Sequence, residues 1–121
     1  MDKGQYQVFI VFNNKSYTIE ISDNTKIRDL MRNLAIKFTL PFIDDLSLYP
    51  EIKHSAPFYL RYSSKALDEN QFETIGDFNK FYHGITIEKE ASFHLMMSYS
   101  SKIWKLIENK TLTRAEYIVN K

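Results

Sequence analysis

The sequence contains no cysteine. Disulfides, thiolate nucleophiles and cysteine-based zinc sites are therefore excluded, and the composition is compatible with a reducing compartment. Glycine is scarce: Gly4, Gly76 and Gly84 are too dispersed to form a phosphate-cradling loop. No charge sign dominates, because 16 Lys and Arg face 15 Asp and Glu for a net charge of +1. That balance argues against bulk nucleic acid or an anionic membrane as partner. Long apolar runs are also missing. The run Val8–Phe12 is too short for a membrane span and for most signal-peptide cores. The polar opening Met1-Asp2-Lys3-Gly4-Gln5 adds nothing of that character, and the address implied is intracellular, in the cytoplasm.

What is present is enough for a core. With 44% hydrophobic and 15% aromatic residues over 121 positions, the chain suits a single folded domain rather than a disordered one. Gln7–Phe12 is rich in β-branched and aromatic residues and reads as a strand. Asn13-Asn14-Lys15 supplies turn chemistry, since Asn tolerates positive φ. Residues Ser16–Ser22 then alternate, with Tyr17, Ile19 and Ile21 on one side, which completes a hairpin. Asn24 or Thr25 is placed to cap a helix whose stripe is Ile27, Leu30, Met31, Leu34 and Phe38.

All three prolines fall between residues 41 and 57. Proline removes donors and fixes φ, so residues 39–57 are expected to be irregular yet ordered, with one helical turn within Asp44–Tyr49. Phe58–Tyr62 predicts a third strand and Lys65–Leu67 a short fourth. A short helix is expected in the connection that follows, and Ile87–Met97 predicts the last strand. Beyond Tyr99 come two capping signals: Ser100 or Ser101 ahead of Ile103, Trp104, Leu106 and Ile107, and the reciprocal pattern Thr113-Arg114-Ala115-Glu116. Leu112 and Tyr117 are spaced for a hydrophobic staple across the second cap.

Catalytic chemistry finds little to work with. His54, His83 and His94 lack ligand-like spacing. Asp44-Asp45 and Asp68-Glu69 read as solvated turn carboxylates, and no nucleophile stands beside a base. An enzyme is not expected, nor is a cofactor or a metal.

The order of these segments resembles the ubiquitin-like (β-grasp) family. Gln7-Val8-Phe9-Ile10 and Tyr17-Thr18-Ile19-Glu20-Ile21 are similar to that family's first two strands. Thr25 with Ile27, Leu30 and Leu34 is similar to its capped helix, and Leu60-Arg61-Tyr62-Ser63-Ser64-Lys65-Ala66-Leu67 to its third strand and the turn beyond. Thr74-Ile75-Gly76-Asp77-Phe78-Asn79 resembles its Thr-Leu-Ser-Asp-Tyr-Asn stretch. Ile87-Glu88-Lys89-Glu90-Ala91-Ser92-Phe93-His94-Leu95 resembles Ile-Gln-Lys-Glu-Ser-Thr-Leu-His-Leu. The resemblance implies an α+β fold, a ubiquitin-like β-grasp with a mixed four- to five-stranded sheet packed on one helix. Here that fold carries a C-terminal helical extension. The implied organisation is a ubiquitin-like domain over residues 1–99, interrupted by the insertion 39–57, and a helical tail over 100–121.

Two departures from the family bear on function. Its members are conjugated through a C-terminal glycine pair, yet no Gly-Gly occurs here, and the corresponding positions fall near Ser101 and Lys102. Conjugation is therefore not expected. The family is recognised through an apolar patch on the outer sheet face. The matching positions here are Arg61 and Met96, with His94 alongside and Val11 on the neighbouring strand. Arg61 stands where the resemblance implies isoleucine, which argues against standard ubiquitin receptors because burying an unpaired guanidinium is costly.

The reading is a non-covalent protein-binding module or adaptor, not conjugated to targets. The alternative is a small structural accessory subunit of a larger assembly. Candidate contact residues are Val11, Arg61, His94 and Met96 on the sheet, and Ile103, Trp104 and Ile107 in the tail. Two destinations stay open for the tail: cover over its own sheet, or docking on another protein.

Overall fold

The computed structural model describes residues 4–119. The chain divides into two compact units, the residues up to Ile27 with Tyr59–Met96, and Arg28–Phe58 with the residues from Met97 on.

The first unit is built on a five-stranded mixed sheet. Its strands are β1 (Tyr6–Phe12), β2 (Lys15–Ile21), β3 (Phe58–Tyr62), β4 (Lys65–Ala66) and β5 (Ser92–Met97), in the order β2-β1-β5-β3-β4. β1 and β2 pair antiparallel from Tyr6 opposite Ile21 to Phe12 opposite Lys15. The turn between them is a two-residue loop with Asn13 at φ 53° and Asn14 at φ 63°. Positive φ at both positions matches the twist of the flanking strands, and asparagine accepts it at little cost. β1 then pairs parallel with β5. Alternation places Val8, Ile10, Leu60 and Phe93 on the buried side, each fully enclosed.

The last strand is shorter than its sequence suggests. It starts at Ser92 rather than Ile87, because Glu88–Ala91 closes a turn: the Ala91 N–H donates to Glu88 O at 3.1 Å, and Glu90 sits at φ 66°. Ile87 is held ahead of that turn by Asn79, whose amide oxygen accepts from the Ile87 N–H at 2.7 Å and whose Nδ2 donates to the Ile87 carbonyl at 3.0 Å. Charged residues over Glu88–Glu90 leave no apolar face for a strand to bury.

The short helix α2 (Ile75–Phe81) carries a reciprocal cap. The Thr74 hydroxyl accepts from the Asp77 N–H, and the Asp77 carboxylate accepts from the Thr74 N–H, both at 3.1 Å. Its first turn is stitched to the segment after β2, with Ile75 N–H on Thr25 O and Gly76 N–H on Asp23 O at 2.8 Å. The approach is close: a Cβ on Gly76 would stand 3.0 Å from the Asp23 carbonyl oxygen, tighter than an ordinary contact. Thr25, a candidate helix cap, instead accepts from the Ser22 N–H through its hydroxyl at 2.8 Å. Phe78 of α2 lies in an aromatic chain, 5.4 Å from Phe72, 4.8 Å from Tyr82 and 6.3 Å from Tyr62, which in turn lies 5.3 Å from Phe93.

The second unit contains all but the first residue of α1 (Ile27–Phe38), the proline-bearing insertion and the tail. Leu30, Met31, Leu34 and Ala35 of α1 are buried, at helical spacing. The helix ends in a Schellman turn, with Thr39 left-handed at φ 54° and the Leu40 N–H donating to Ala35 O at 2.9 Å. The expected turn in the insertion is a 3-10 turn at Leu46–Leu48, with the Asp45 carboxylate accepting from the Ser47 N–H. In the tail, α3 (Lys102–Glu108) is capped by the Ser101 hydroxyl, and α4 (Arg114–Tyr117) follows the second predicted cap, where the Thr113 N–H donates to Glu116 Oε1 at 2.8 Å.

The tail's apolar side chains take a destination beyond the two left open by the sequence. Ile103 and Leu112 close a buried cluster with Ile43 and Ile52 of the insertion, and Leu46, Tyr49, Leu106, Ile107 and Tyr117 pack around it. Backbone bonds reinforce this pairing: the Phe42 N–H donates to Tyr117 O at 2.8 Å, and Pro41 and Ile118 form an isolated bridge. Burying a side chain of this size contributes about 1.5–3 kcal/mol, so the cluster organises segments that have no sheet ladder of their own.

Candidate protein-binding face

The outer side of the sheet follows from the pleat. Because Val8 and Ile10 of β1 are buried, Phe9 and Val11 point the other way, and both are only half-buried. In the ladders Phe9 stands opposite Thr18 and Ser92, and Val11 opposite Ser16 and His94. On β5 the same alternation buries Phe93 and Leu95 and leaves His94 exposed with Met96 half-buried. On β3 it buries Leu60, leaving Arg61 half-buried and Tyr59 37% exposed. Val11, Arg61, His94 and Met96 thus share one side of three neighbouring strands. Tyr59 belongs with them. The alternation Phe58-Tyr59-Leu60-Arg61-Tyr62 carried that signal.

Arg61 is the anomaly of this face. Its Nε is buried and has no hydrogen-bond partner among the described residues. Most buried polar atoms in folded proteins are paired, and an unpaired one costs on the order of 1–3 kcal/mol, more when charged. Its cross-strand neighbour is the small residue Ala66.

The tail candidates lie in the second unit. Ile103 is fully buried, inside the aliphatic cluster. Ile107 packs at the edge of that cluster. Trp104 is half-buried, and its indole N–H donates to Ser98 O at 2.9 Å. Of the three, Trp104 and Ile107 keep part of their surface accessible.

Ionisable groups away from these surfaces serve the fold. Burial, reinforced by the Asp23 carboxylate 3.3 Å away, pushes the Tyr6 phenol far above its ordinary range. Burial and the Glu88 charge push up that of Tyr62, whose hydroxyl donates to Thr86 O at 2.9 Å. Tyr62 borders a shallow depression with Ser63, Thr86, Glu88, Glu90 and Ser92, where carboxylates and hydroxyls stand without a nucleophile–base pair. Among the described residues no group of three histidines or carboxylates could hold a metal ion. No helix of the described residues is long and apolar enough to cross a membrane.

No protein-family model matches the chain, and no curated protein matches it. Solved structures do. A ubiquitin from Caldiarchaeum subterraneum superposes with a TM-score of 0.51 at 18% identity, covering 78% of this chain and 94% of its own. A chain from the crystal structure of ATBAG1 in complex with HSP70 superposes with a TM-score of 0.52 at 16% identity over 88% of this chain. This chain spans about half of that one, 48% of its length. At these identities the likeness is one of architecture, and the architecture of this chain is the α+β, ubiquitin-like β-grasp.

Proposed function

We propose that the chain is a non-enzymatic, ubiquitin-like protein-binding module that docks non-covalently and is not conjugated to its targets. Val11, Arg61, His94 and Met96 are its contact residues, and the 1–99 domain carries the face they form. The observation that carries this reading is the outer sheet side, where Phe9, Val11 and Met96 remain half-buried and Tyr59 exposed around Arg61 and His94. Partly exposed apolar side chains gathered on one side of neighbouring strands support an interaction site there. The absence of conjugation is supported by the positions corresponding to the glycine pair: Ser101 caps α3 and Lys102 is its first residue, immediately before the buried Ile103. Narrow channels that admit a glycine tail would not admit a capped helix. The ATBAG1 structure, a complex with HSP70, lends support to a protein partner as a class. The setting is intracellular, in the cytoplasm.

The test is affinity capture with the full chain beside Val11→Glu. The outer face is the docking surface if the variant stays folded and loses the partners that the parent protein captures. Retention of every partner, or recovery of the chain in an isopeptide linkage, overturns the reading.

A second reading, a permanent accessory subunit, is favoured by Leu48 and Tyr99, large hydrophobic residues of the second unit that are 66% and 83% exposed. Under it, Trp104 and Ile107 would add contact surface from the tail. An adaptor purifies as a monomer that releases its partners reversibly, whereas a subunit co-purifies in fixed ratio.

A further inference from the structure

The two edges of the sheet are unlike. β4, at one end of the strand order, is two residues long. β2, at the other, runs seven residues from Lys15 to Ile21, with no proline, no glycine and no bulge in its register. Long, regular edges are usually blunted in folded proteins, because an open row of main-chain groups is a template for another strand. We infer that β2 pairs antiparallel with β2 of a second copy of this chain, about a two-fold axis at Thr18. The pairing uses the sheet edge and stands apart from the outer-face reading above.

Three observations carry the inference. First, the open side of β2 follows residue by residue from the ladders. The Phe9 N–H donates to Ala91 O, and Gln7 O accepts from the Glu90 N–H, so these residues of β1 turn their main chain toward β5 and the turn before it. Val8 and Ile10 therefore turn theirs toward β2, where they stand opposite Ile19 and Tyr17. Ser16, Thr18 and Glu20 are left to point their N–H and C=O groups outward, and all three are exposed. No backbone hydrogen bond reaches them from that side among the described residues. Second, β2 is complementary to itself. Reversed about Thr18, it sets Thr18 against Thr18, Ser16 against Glu20, and Tyr17 against Ile19 of the other copy. The outward-facing pairs are the hydrogen-bonded ones, about six main-chain bonds in all. Threonine pairs and aromatic–β-branched pairs are favourable across strands. Third, the charges agree with this direction. Lys15 stands at one end of β2 and Glu20 beside the other. Antiparallel pairing brings cation near anion at both ends, whereas parallel pairing in register would set like charges side by side.

An extended peptide of another protein could match the main-chain bonds alone, without this side-chain self-match. The interface is smaller than the ~1,600 Å² of standard complexes, so the dimer forms at high concentration, with Kd on the order of 100 μM. The axis stands perpendicular to the sheet. Both outer faces therefore point the same way, and paired copies present two of them side by side.

The experiment is analytical ultracentrifugation of the full chain from about 10 μM to about 1 mM, with amide NMR spectra over the same range. The mass is expected to rise from 14.4 kDa toward twice that value. The Ser16, Thr18 and Glu20 amides are expected to shift with concentration, and by more than those of Val8 and Ile10. Thr18→Lys and Thr18→Glu each place like charges at the axis and should weaken association about fivefold or more. Mixed in equal amounts they should recover it, since lysine then faces glutamate. Thr18 is exposed, so both variants should keep the parent melting temperature, and the amide shifts test the pairing in the unaltered chain. A chain that stays at 14.4 kDa up to about 1 mM overturns the inference. So does a dimer whose amide shifts fall elsewhere, or one that both variants leave intact. Capture of another protein's extended peptide along β2, by a chain that stays monomeric, overturns the choice of a second copy.

Discussion

Both units bury apolar side chains, but they hold their backbones by different means. In the first, polar groups of the main chain go into a ladder, seven registered pairs between β1 and β2 alone, extended by β5, β3 and β4. In the second, the irregular segments rely on single bonds between stretches far apart in sequence: Phe42 N–H on Tyr117 O, Ile43 N–H on Ser55 O at 2.7 Å, and Ser98 N–H on Pro57 O at 2.7 Å. A ladder shares its ordering cost among many bonds, whereas isolated bonds depend on the side chains that bring their ends together. In the second unit that duty falls on Ile43, Ile52, Ile103 and Leu112. Arg28 adds local support, donating to the Ile43 and Asp44 carbonyls and lying 5.1 Å over the Phe42 ring, while Arg32 Nε meets the Asp44 carboxylate at 2.9 Å. That last pair is largely exposed and contributes at most about 1 kcal/mol.

Core truncations put the largest load on this contrast. Phe93→Ala, at a fully buried sheet position in contact with Tyr62, is expected to cost about 4 kcal/mol. Ile103→Ala, at a fully buried position in the tail, is expected to cost about 3 kcal/mol. Chemical denaturation measures both. Hydrogen exchange separates them: Ile103→Ala should release the Phe42 and Ile43 amides while the paired amides of β1 and β2 keep their protection. If the β1–β2 amides exchange first in Ile103→Ala, the aliphatic cluster is not what secures the insertion and tail. Removal of everything past Tyr99 should resemble an aggravated Ile103→Ala, because Ile103, Leu112 and Val119 are all buried.

The same contrast decides what could be read from residues alone. The hairpin, β3, the capped tail helices and the outer-face alternation of Val11, Arg61, His94 and Met96 were legible because each is a local period or cap. The destination of Ile103 was not. Ile43 and Ile52 lie in a segment punctuated by Pro41, Pro50 and Pro57, where no period of two or of 3.6 announces a face. Apolar residues there signal burial without naming the partner. Arg61 was legible as a departure from the family pattern, but the isolation of its Nε depends on three-dimensional enclosure. The strand start at Ser92 was missed for a different reason. Ile87-Glu88-Lys89 imitates alternation, and only the turn at Glu90 ends it.

Backbone strain gives a smaller and opposite pair of effects. Asn13 and Asn14 in the first unit, and Thr39 in the second, all hold positive φ. For a β-branched residue the left-handed region costs on the order of 1–2 kcal/mol, whereas asparagine offsets much of that by local hydrogen bonding. Thr39→Gly should therefore stabilise by about 1 kcal/mol, less the entropy that glycine gains in the unfolded chain. Asn14→Gly should gain only a few tenths, roughly, because asparagine already suits this turn. Thermal melting of both variants checks the ranking. A gain at Asn14 larger than at Thr39 would mean that the Schellman turn contributes less strain than its φ implies.

The smallest effects lie in pH, and those on the acid side belong to the second unit. In the second unit the Glu116 carboxyl is held below its ordinary value of 4.5, by the Thr113 N–H first, then by the Thr113 hydroxyl and the Tyr49 hydroxyl at 2.9 Å. Asp45 is held below its ordinary 3.8 by the Ser47 hydroxyl and N–H. A carboxyl whose value is depressed on folding contributes stability above its unfolded value and loses it as pH falls through the folded one. The cap of α4 should therefore loosen as pH drops below 4.5, read as faster exchange of the Thr113 amide, and Glu116→Gln should flatten that dependence. In the first unit Tyr6 responds at the other end. Burial raises its phenol, so its contribution is complete below the ordinary 10.0 and is lost as pH rises beyond it. Tyr49 shares the alkaline direction, through desolvation and its bond to Glu116. Tyr6→Phe should reduce the alkaline sensitivity of the sheet amides, the remainder lying with Tyr62, and leave the acid response of α4 untouched. An acid response that vanishes with Tyr6→Phe would show that the cap at Thr113 does not set it.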